Sequence, residues 1–338
     1  MSRNSSFVWM AGAAVFLWLL SISLGSVSIP FGEIIRIFMS HGAPDMSHHL
    51  IIWQSRLPSS ITAILAGAGL SVSGLMLQSL FRNPLAGPSV LGISSGASLG
   101  VAIVVLFLGG AMIPGWGMNL ASVAGALAGA LLILGILLLA LKRVNSNVTL
   151  LILGLMLGYA VGSVVSILEL FATKESLQQF VFWGFGSFAG LSWQQVGLLA
   201  LVVLPSISLA MSLLKPMNAL VSGETFARSV GVDVQRVRVQ IIILTGLIAG
   251  VVTAFCGPIA FLGMAVPHLA RWILRSSDHR LLFPGTLLLG IVTALACDLL
   301  ARLPGLDWML PLNAVTALLG APVVLIIILR NRRLESHF

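Results

Sequence analysis

Apolar runs of roughly 20 residues, the length of a bilayer-spanning helix, recur along the whole chain and limit what it can fold into. Ten such runs can be delimited: Phe7–Ile29, Leu57–Leu80, Leu91–Gly110, Asn119–Leu141, Val148–Leu170, Trp193–Leu214, Val239–Cys256, Pro258–Ile273, Leu281–Leu303 and Leu312–Arg330. Only 8% of the residues are charged, whereas soluble domains carry about 25%. The sequence therefore predicts an all-α integral membrane protein with ten transmembrane helices in one domain, residues 1–338.

Two of these assignments depend on local detail. The seventh and eighth runs are separated only by Gly257-Pro258. A Gly-Pro pair breaks a helix, and the combined run is too long for one crossing, so we predict two helices there. The first run is long for a signal-peptide core and lacks a small-residue cleavage site, which indicates a retained first helix.

The distribution of basic residues predicts the orientation. Ten spans put both termini on one side, and with that side in the cytoplasm fourteen of the 18 Lys and Arg residues lie at cytoplasmic helix ends. They are Arg3, Arg82, Lys142, Arg143, Lys215, Arg228, Arg236, Arg238, Arg271, Arg275, Arg280, Arg330, Arg332 and Arg333. The other four are Arg36, Arg56, Lys174 and Arg302. This positive-inside bias favours cytoplasmic termini, and removing one span would destroy it.

Charge and cysteine content exclude several classes of function. The net charge of +8 comes from residues scattered over loop ends rather than from one basic tract, so phospholipid headgroups explain it better than a nucleic acid partner. Cys256 and Cys297 lie within or at the end of apolar runs, where cysteine acts as a small hydrophobe. We therefore expect no disulfide, no metal site and no cofactor.

The segment Lys215–Arg238 is the only long polar stretch with its own helix signals. Ser222 is a candidate N-cap, with Glu224 in the first turn where a carboxylate suits the helix dipole. Gly231 is placed to end this helix, and Asp233 to cap the next one. The pattern predicts a two-turn helix outside the bilayer, on the cytoplasmic side.

This predicted helix carries a small apolar patch formed by Phe226, Ala227 and Val230. Such a patch among charges is enough to sit in a groove of another protein. A structured loop without a partner is equally compatible with the pattern. On the opposite side, Phe31–His41 and Glu175–Trp183 are predicted to be short amphipathic surface helices, because their apolar residues recur at helical spacing.

Three motif clusters follow one another along the chain. The first comprises Arg56-Leu57-Pro58, Gly74, Gln78 and the run RNPLAGP at 82–88; the second comprises GPIAFLG at 257–263, Pro267-His268, Arg271 and Asp278-His279-Arg280; the third comprises Asp298, Arg302, Leu310-Pro311 and TALLGAP at 316–322. With the Ser222-Gly223-Glu224 loop, this order resembles the permease family of type II ABC importers for vitamin B12 and iron chelates, the FecCD type. Ser59 and Asn313 depart from the family pattern, which has an arginine and a glycine there.

The resemblance implies a homodimeric channel in the bacterial inner membrane, with the type II ABC importer permease fold. Two ATP-binding subunits would bind below the dimer and a periplasmic substrate-binding protein above it. The loop matching Lys215–Arg238 is the family's coupling helix, which docks on the ATPase through Ser222, Gly223, Glu224, Thr225, Phe226, Ala227, Arg228, Val230 and Gly231. The chain contains no G-x-x-x-x-G-K-[ST] phosphate loop, so ATP hydrolysis is expected on a separate subunit and the chain is not itself an enzyme.

The resemblance also implies roles for residues outside this loop. Arg56 and Arg302 match the outer arginines that dock the binding protein, a role that suits bidentate carboxylate recognition; headgroup contact is the alternative. The residues that match the inner gate are Asn83, Leu85, Ser146 and Asn147, with helix capping as the alternative for Asn147. Gly158 and Gly162 are predicted to line the translocation path.

Two other classes of function remain open on sequence grounds. A proton-coupled secondary transporter acting alone would need Glu169 or Asp298 as its proton carrier, although Asp298 could instead pair with Arg302. A membrane-embedded enzyme would need a His, Asp or Glu cluster at catalytic spacing, which the spans lack. His268 is interpreted as a packed or capping histidine. Haem, a ferric siderophore, a cobalamin and a smaller oxyanion are all compatible with the motifs.

Overall fold

The computed structural model describes residues 3–25, 27, 29–39, 46–108, 116–144, 146–302 and 309–330. Within these residues the α-helices are α1 (Arg3–Ser23), α2 (Phe31–Met39), α3 (Met46–Ile51), α4 (Leu57–Phe81), α5 (Ile93–Ala102), α6 (Trp116–Leu141), α7 (Asn147–Leu170), α8 (Lys174–Gly184), α9 (Trp193–Met211), α10 (Leu214–Val221), α11 (Glu224–Ser229), α12 (Val234–Cys256), α13 (Leu262–Leu274), α14 (His279–Ala301) and α15 (Leu312–Arg330). Two π-helical turns, Ile52–Arg56 and Ile103–Phe107, continue α3 into α4 and extend α5.

Each of the ten predicted runs coincides with a helix, which confirms an all-α membrane protein. Seven helices of the described chain are long and apolar enough to cross a bilayer. The other three predicted spans contain shorter apolar stretches: Ile93–Phe107 of α5 with its π turn, α13, and Leu312–Ile326 of α15. By length and apolar composition the described residues therefore hold seven candidate crossings, and the count of ten stays a prediction.

Several boundaries follow the predicted signals. Helix α12 ends at Cys256, Gly257 adopts φ +73°, and α13 begins at Leu262, so the predicted break between the seventh and eighth runs is confirmed. The two predicted surface helices correspond to α2 and α8, residues 40 and 41 lying outside the described chain. The second run begins earlier than predicted, because α3 and its π turn make one continuous span from Ser47 to Phe81.

Helix α4 is the centre of the bundle. In its most apolar window 89% of the residues are buried, compared with 72% in α12 and 22% in α1 and in α7. It packs against α9, α12, α13 and α14, while α5 packs against α6, α7 and α12. The sequence of α4 is rich in Gly, Ala and Ser, and such small residues let neighbouring helices pack closely against every side of it.

Pairs of glycines set the closest helix approaches. A Cβ at Gly67 of α4 would fall on the Gly290 carbonyl oxygen of α14, and a Cβ at Gly290 would fall on the Gly67 carbonyl oxygen. The same reciprocal relation joins α5 to α6 through Gly96 and Gly129. Small residues at such interfaces allow the backbones to touch, which is how helices associate in lipid without a hydrophobic driving force.

This packing predicts a difference between two glycines of helix interiors. Gly67→Ala should lower the free energy of unfolding by about 1–3 kcal/mol, because its Cβ overlaps the backbone of α14. Gly135→Ala, at a site on α6 with nothing within 4 Å, should leave stability unchanged or raise it by up to about 1 kcal/mol. Both thiols are buried, so a thiol-reactive dye in detergent reports unfolding; equal midpoints for the two variants would contradict the packing argument.

Candidate functional site

The polar segment Lys215–Arg238 forms two short helices rather than one. Helix α10 extends from Leu214 to Val221 because Met217 and Leu220 are buried against the bundle. Ser222 ends α10, and the N-cap of α11 is Gly223, with φ +115° and no side-chain cap. The prediction that Ser222 caps α11 was therefore wrong, and α10 was missed.

The end of this segment follows the predicted signals. Gly231 has φ +83°, a region that glycine enters without strain. The Gly231 and Val232 N–H groups donate to the Arg228 and Ala227 carbonyls at 3.0 and 2.9 Å, the arrangement of a Schellman C-cap. Asp233 then caps α12 by accepting from the Arg236 N–H at 3.1 Å. The capping roles of Gly231 and Asp233 are confirmed.

Helix α11 presents a narrower apolar surface than the sequence predicted. Phe226 and Val230 are 49% and 55% exposed. Ala227 is fully buried, since it lies on the side of α11 that faces the bundle, so its place in the exposed patch was wrong. We call the end of the bundle that carries α11 the α11 face; Phe226 and Val230 form the apolar part of its surface.

Glu224 connects α11 to the bundle. Its Oε1 accepts hydrogen bonds from Arg238 Nη2 of α12 and from Asn147 Nδ2 of α7, both at 2.9 Å. The Arg238 side chain is only 3% exposed, and a buried arginine needs a compensating carboxylate. Arg228 lies 3.9 Å from Oε2 on the exposed side. Oε1 of Glu224 is thus used in contacts within the chain, with Arg238 and Asn147.

Asn147 joins a third helix to this contact. Its amide donates to the Leu80 carbonyl oxygen at the end of α4, at 2.9 Å, as well as to Glu224. The N-cap of α7 is Ser146, whose side chain accepts from the Thr149 N–H. Helix capping therefore falls to Ser146, and Asn147 is a bridge between α4, α7 and α11.

The last turn of α4 is a common anchor for other elements of the α11 face. Gln78 donates to the Met264 carbonyl at 3.0 Å and accepts from Arg271 at 2.6 Å, both on α13. Ser79 lies 2.6 Å from His279 Nε2 at the start of α14. Three consecutive residues, Gln78 to Leu80, thus contact three different helices.

A second polar cluster fixes α10 to the start of α14. Asn218 Oδ1 lies 2.6 Å from His279 Nδ1, and Asn218 Nδ2 donates to Asp278 at 2.7 Å. The Arg280 backbone N–H and the Asn218 amide hold the pKa of the Asp278 carboxyl below its usual range. Asp278 is therefore ionised near neutral pH and caps α14 as a carboxylate.

The predicted gate residues Asn83 and Leu85 lie in the turn directly after α4. Arg82 begins this turn with φ +48°, and Asn83 Oδ1 accepts from the Leu85 N–H at 2.8 Å. His268 of α13 contacts the Pro84 carbonyl at 2.6 Å, which fits its interpretation as a packed histidine. Leu85 is 40% exposed. The structure brings this turn, Ser146 and Asn147 to the same face.

The predicted docking arginines lie at the opposite end of the bundle, and both have internal partners. Arg56 is 4% exposed and donates to the carbonyls of Ile22 at 2.6 Å, Ser23 at 2.7 Å and Val27. Its guanidinium donates to carbonyls that the helix leaves unpaired at the end of α1 and just after it, so the side chain lies inside the protein rather than at the surface. Arg302 donates to Asp298 at 2.8 Å, which confirms the suggested pair.

Arg302 also lines a cleft of about 250 Å³ at this end of the bundle. Asp298 lies in the same wall, beside exposed aromatic and apolar side chains. These are Phe182, Phe185, Met309 and Leu310. Of the two predicted docking residues, Arg302 is the one beside an open surface.

Comparison with known proteins agrees with this geometry. The model of the FecCD transport family matches residues 13–330. The chain belongs to the FecCD transport family. The vitamin B12 import system permease protein BtuC of Klebsiella pneumoniae is 37% identical over 98% of this chain and 96% of that protein, and that of Citrobacter koseri is 37% identical over 96% and 95%. A solved metal-chelate type ABC transporter in an inward-facing conformation superposes with a TM-score of 0.82 at 28% identity, covering 97% of this chain and 99% of that one.

One departure from the FecCD pattern has a clear structural role. Asn313 Oδ1 accepts from the Ala260 N–H at 3.2 Å, and the Asn313 N–H donates to the Phe185 carbonyl at 2.9 Å. Asn313 therefore ties the start of α15 to the α12–α13 loop and to α8. Ser59, the other departure, donates to the Ser55 carbonyl of the π-helical turn that precedes α4.

The predicted path residues of this FecCD permease differ in their surroundings. A Cβ at Gly158 would lie 3.4 Å from Ser95 Oγ, whereas nothing lies within 4 Å of one at Gly162. Tyr159, Gly162, Ser163 and Ser166 form an exposed, partly polar stripe on α7, with Tyr159 65% exposed. The Ser163 hydroxyl donates to the Tyr159 carbonyl within the helix, but a phenol hydroxyl without a partner is unfavourable in hydrocarbon, so the side of α7 that carries Tyr159 is better suited to water or a partner than to lipid tails.

Burial of Arg56 predicts a structural effect in this FecCD chain. Arg56→Met keeps the side-chain bulk but leaves three carbonyls without a donor, and each such loss costs about 1–3 kcal/mol. The thermal unfolding midpoint should fall clearly. Lys174→Met, at an exposed basic residue at the start of α8, is the matched control and should change little. An unchanged midpoint for Arg56→Met would show that the three hydrogen bonds do not matter for stability.

Proposed function

We propose that this chain is the membrane-spanning permease subunit of an ATP-driven importer in the bacterial inner membrane. The observation that carries the proposal is α11, a short helix that exposes Phe226 and Val230 while Glu224 fixes it to the bundle. The BtuC relatives are named as vitamin B12 import permeases, and the solved relative as a metal-chelate type ABC transporter. The cargo is accordingly vitamin B12 or an iron chelate such as a siderophore or haem.

The partners follow from this role. Two ATPase subunits dock on the α11 faces of a dimer of this chain, because the sequence has no phosphate loop of its own. The basic residues collected at that end support its cytoplasmic orientation. A periplasmic binding protein docks at the opposite end, where Arg302 and Phe182 border the cleft. A docking role for Arg56 requires its release from the α1 carbonyls.

Helix α7 is the proposed wall of the translocation path. Only 22% of its most apolar window is buried in the single chain, and its exposed stripe contains Tyr159, Gly162 and Ser163. A second copy of the chain facing this stripe would enclose a partly polar channel on the dimer axis. Gly162 keeps this face of α7 free of bulk, which suits a large cargo selected by the binding protein, whereas Gly158 faces Ser95 of α5 at the edge of the stripe.

Two features disfavour transport by proton coupling without ATP. Asp298, one of its two candidate carriers, is paired with Arg302, and Glu169 lies at the end of α7, away from the middle of the span. Purified protein in proteoliposomes should show no uptake of vitamin B12 or of a ferric siderophore under a pH gradient alone. Uptake should appear only with the ATPase, ATP and the binding protein; gradient-driven uptake by the chain alone would overturn the proposal.

Docking of the ATPase is tested on the exposed side of α11. Phe226→Asp with Val230→Asp should abolish co-purification of the ATPase, since both side chains lie at the surface and their loss leaves the internal contacts of Glu224 intact. Ser229→Asp with Ser277→Asp adds the same two charges at exposed positions of this end of the bundle, outside the predicted docking residues, and is the control. Retention of the ATPase by the double variant at normal stoichiometry would contradict this docking surface.

The path is tested at Gly162. Gly162→Trp should fold normally, because nothing lies within 4 Å of the new Cβ, and should reduce uptake by at least about tenfold by filling the channel, a barrier of roughly 1.4 kcal/mol or more. Gly197→Trp on α9 also meets nothing within 4 Å and serves as the matched control. Normal uptake by a stable Gly162→Trp dimer would exclude this face of α7 from the path.

A further inference from the structure

The contacts of Glu224 link the surface helix α11 to two separate segments of the bundle. We propose that Glu224 and Asn147 act as positioning residues that carry the displacement of α11 to the start of α7 and to the end of α4, and that Arg238 holds Glu224 in place for this. The inference rests on the proposed function, since it assumes a nucleotide-driven partner that moves α11. It adds a defined route between the docking surface and the predicted gate.

The first step of the route is the ion pair inside the α11 face. Arg238 lies one turn into α12, and its side chain is 3% exposed. Glu224 supplies the carboxylate at 2.9 Å, and an exposed, flexible group could not replace it without leaving a buried charge unpaired. The pair therefore makes α11 and the start of α12 move as one unit.

The second step is the side-chain amide of Asn147. One amide nitrogen donates to both Glu224 Oε1 and the Leu80 carbonyl, each at 2.9 Å. If Glu224 shifts, it must therefore either displace α7 and α4 together or break one of the two hydrogen bonds that the Asn147 amide donates. Contacts of this kind are either made or broken, so they transmit discrete rather than graded changes.

An independent contact supports the same connection. The Arg82 guanidinium reaches to within 3.9 Å of the position that a Cβ on Gly223 would occupy. Arg82 stands between the end of α4 and Asn83, and its backbone has φ +48°. The side chain of Arg82 therefore lies beside the start of α11, which places the turn with Asn83 and Leu85 near this helix as well as near the bridge through Asn147.

The two sides of α11 thus have different tasks. Phe226 and Val230 point outward and are half exposed, which suits a partner surface. Glu224 and Ala227 point inward, and Ala227 is fully buried, so the helix lies close against the bundle at the ion pair. A substitution of Glu224 should accordingly leave docking of the ATPase intact and weaken only the response of α4 and α7 to movement of α11.

The experiment uses the permease together with the ATPase that co-purifies with it. Leu85→Cys, at a 40% exposed position, is labelled with a water-soluble thiol reagent with and without a non-hydrolysable ATP analogue. The two native cysteines are buried and should not react. In the otherwise wild-type chain the analogue should change the labelling rate. Asn147→Ala should reduce that change about tenfold, the usual scale of coupling between two sites, with co-purification and ATP hydrolysis within about twofold of the wild-type values.

Further variants separate a positioning role from a structural one. Glu224→Gln keeps the shape and should also weaken the response, and the double variant with Asn147→Ala should be no worse than the more severe single variant, because both remove one link. Arg236→Gln removes an exposed ion pair with Asp233 at the start of α12 and is the matched control, with a normal response expected.

The outcomes are distinguishable. If the wild-type chain binds the ATPase and responds to the analogue, and Asn147→Ala responds equally, the proposed route is overturned while the proposed function stands. Additive effects of Glu224→Gln and Asn147→Ala would also overturn the route. If the wild-type chain binds no ATPase, both the proposed function and this inference fail.

Discussion

Close contact between helix backbones at α4 is the constraint on which the rest of the structure depends. Gly67 meets Gly290 of α14 and Gly74 meets the Gly263 backbone of α13 so closely that neither site has room for a side chain. In lipid, helices gain little from burying apolar side chains against one another, and van der Waals contact at small residues takes over. Because α4 is buried on all sides, its position fixes the positions of α9, α12, α13 and α14.

The polar contacts lie at the two ends of this core, where they join the ends of neighbouring helices. At the α11 face, Gln78, Ser79 and Leu80 contact α13, α14 and α7 in turn. At the opposite face, Arg56 completes the end of α1 and Asn313 ties α15 to its neighbours. Each of these groups would be unfavourable in the apolar interior without a partner, so the contacts also specify which helix ends lie together.

The helices were predictable because a 20-residue apolar run has few alternatives, and so were local caps such as Asp233 and Gly231. Helix α10 was missed, since Leu214–Val221 is too short and too polar to look like more than a loop, and its stability comes from Met217 and Leu220 packing on the bundle. The partners of Glu224 could not be predicted: Asn147 lies 77 residues away in sequence, and only the packing of α7 beside α4 and α11 brings it close. The resemblance implied a surface role for Arg56, whereas carbonyls of Ile22 and Ser23 in α1 and of Val27 just after it hold the side chain inside.

The inward position of Glu224 separates two sides of α11, one in contact with the bundle and one exposed. Had the carboxylate faced outward, an ATPase could have paired with it, but Arg238 would have remained buried without a counter-charge. Instead, one of its oxygens compensates Arg238 and reaches Asn147, and the exposed apolar side chains of α11 are those of Phe226 and Val230. Apolar docking tolerates changes in the partner, whereas the internal ion pair and amide bridge depend on geometry within this chain. Under the proposed function, this division assigns docking of the ATPase to the surface of α11 and transmission of its movement to contacts inside the chain.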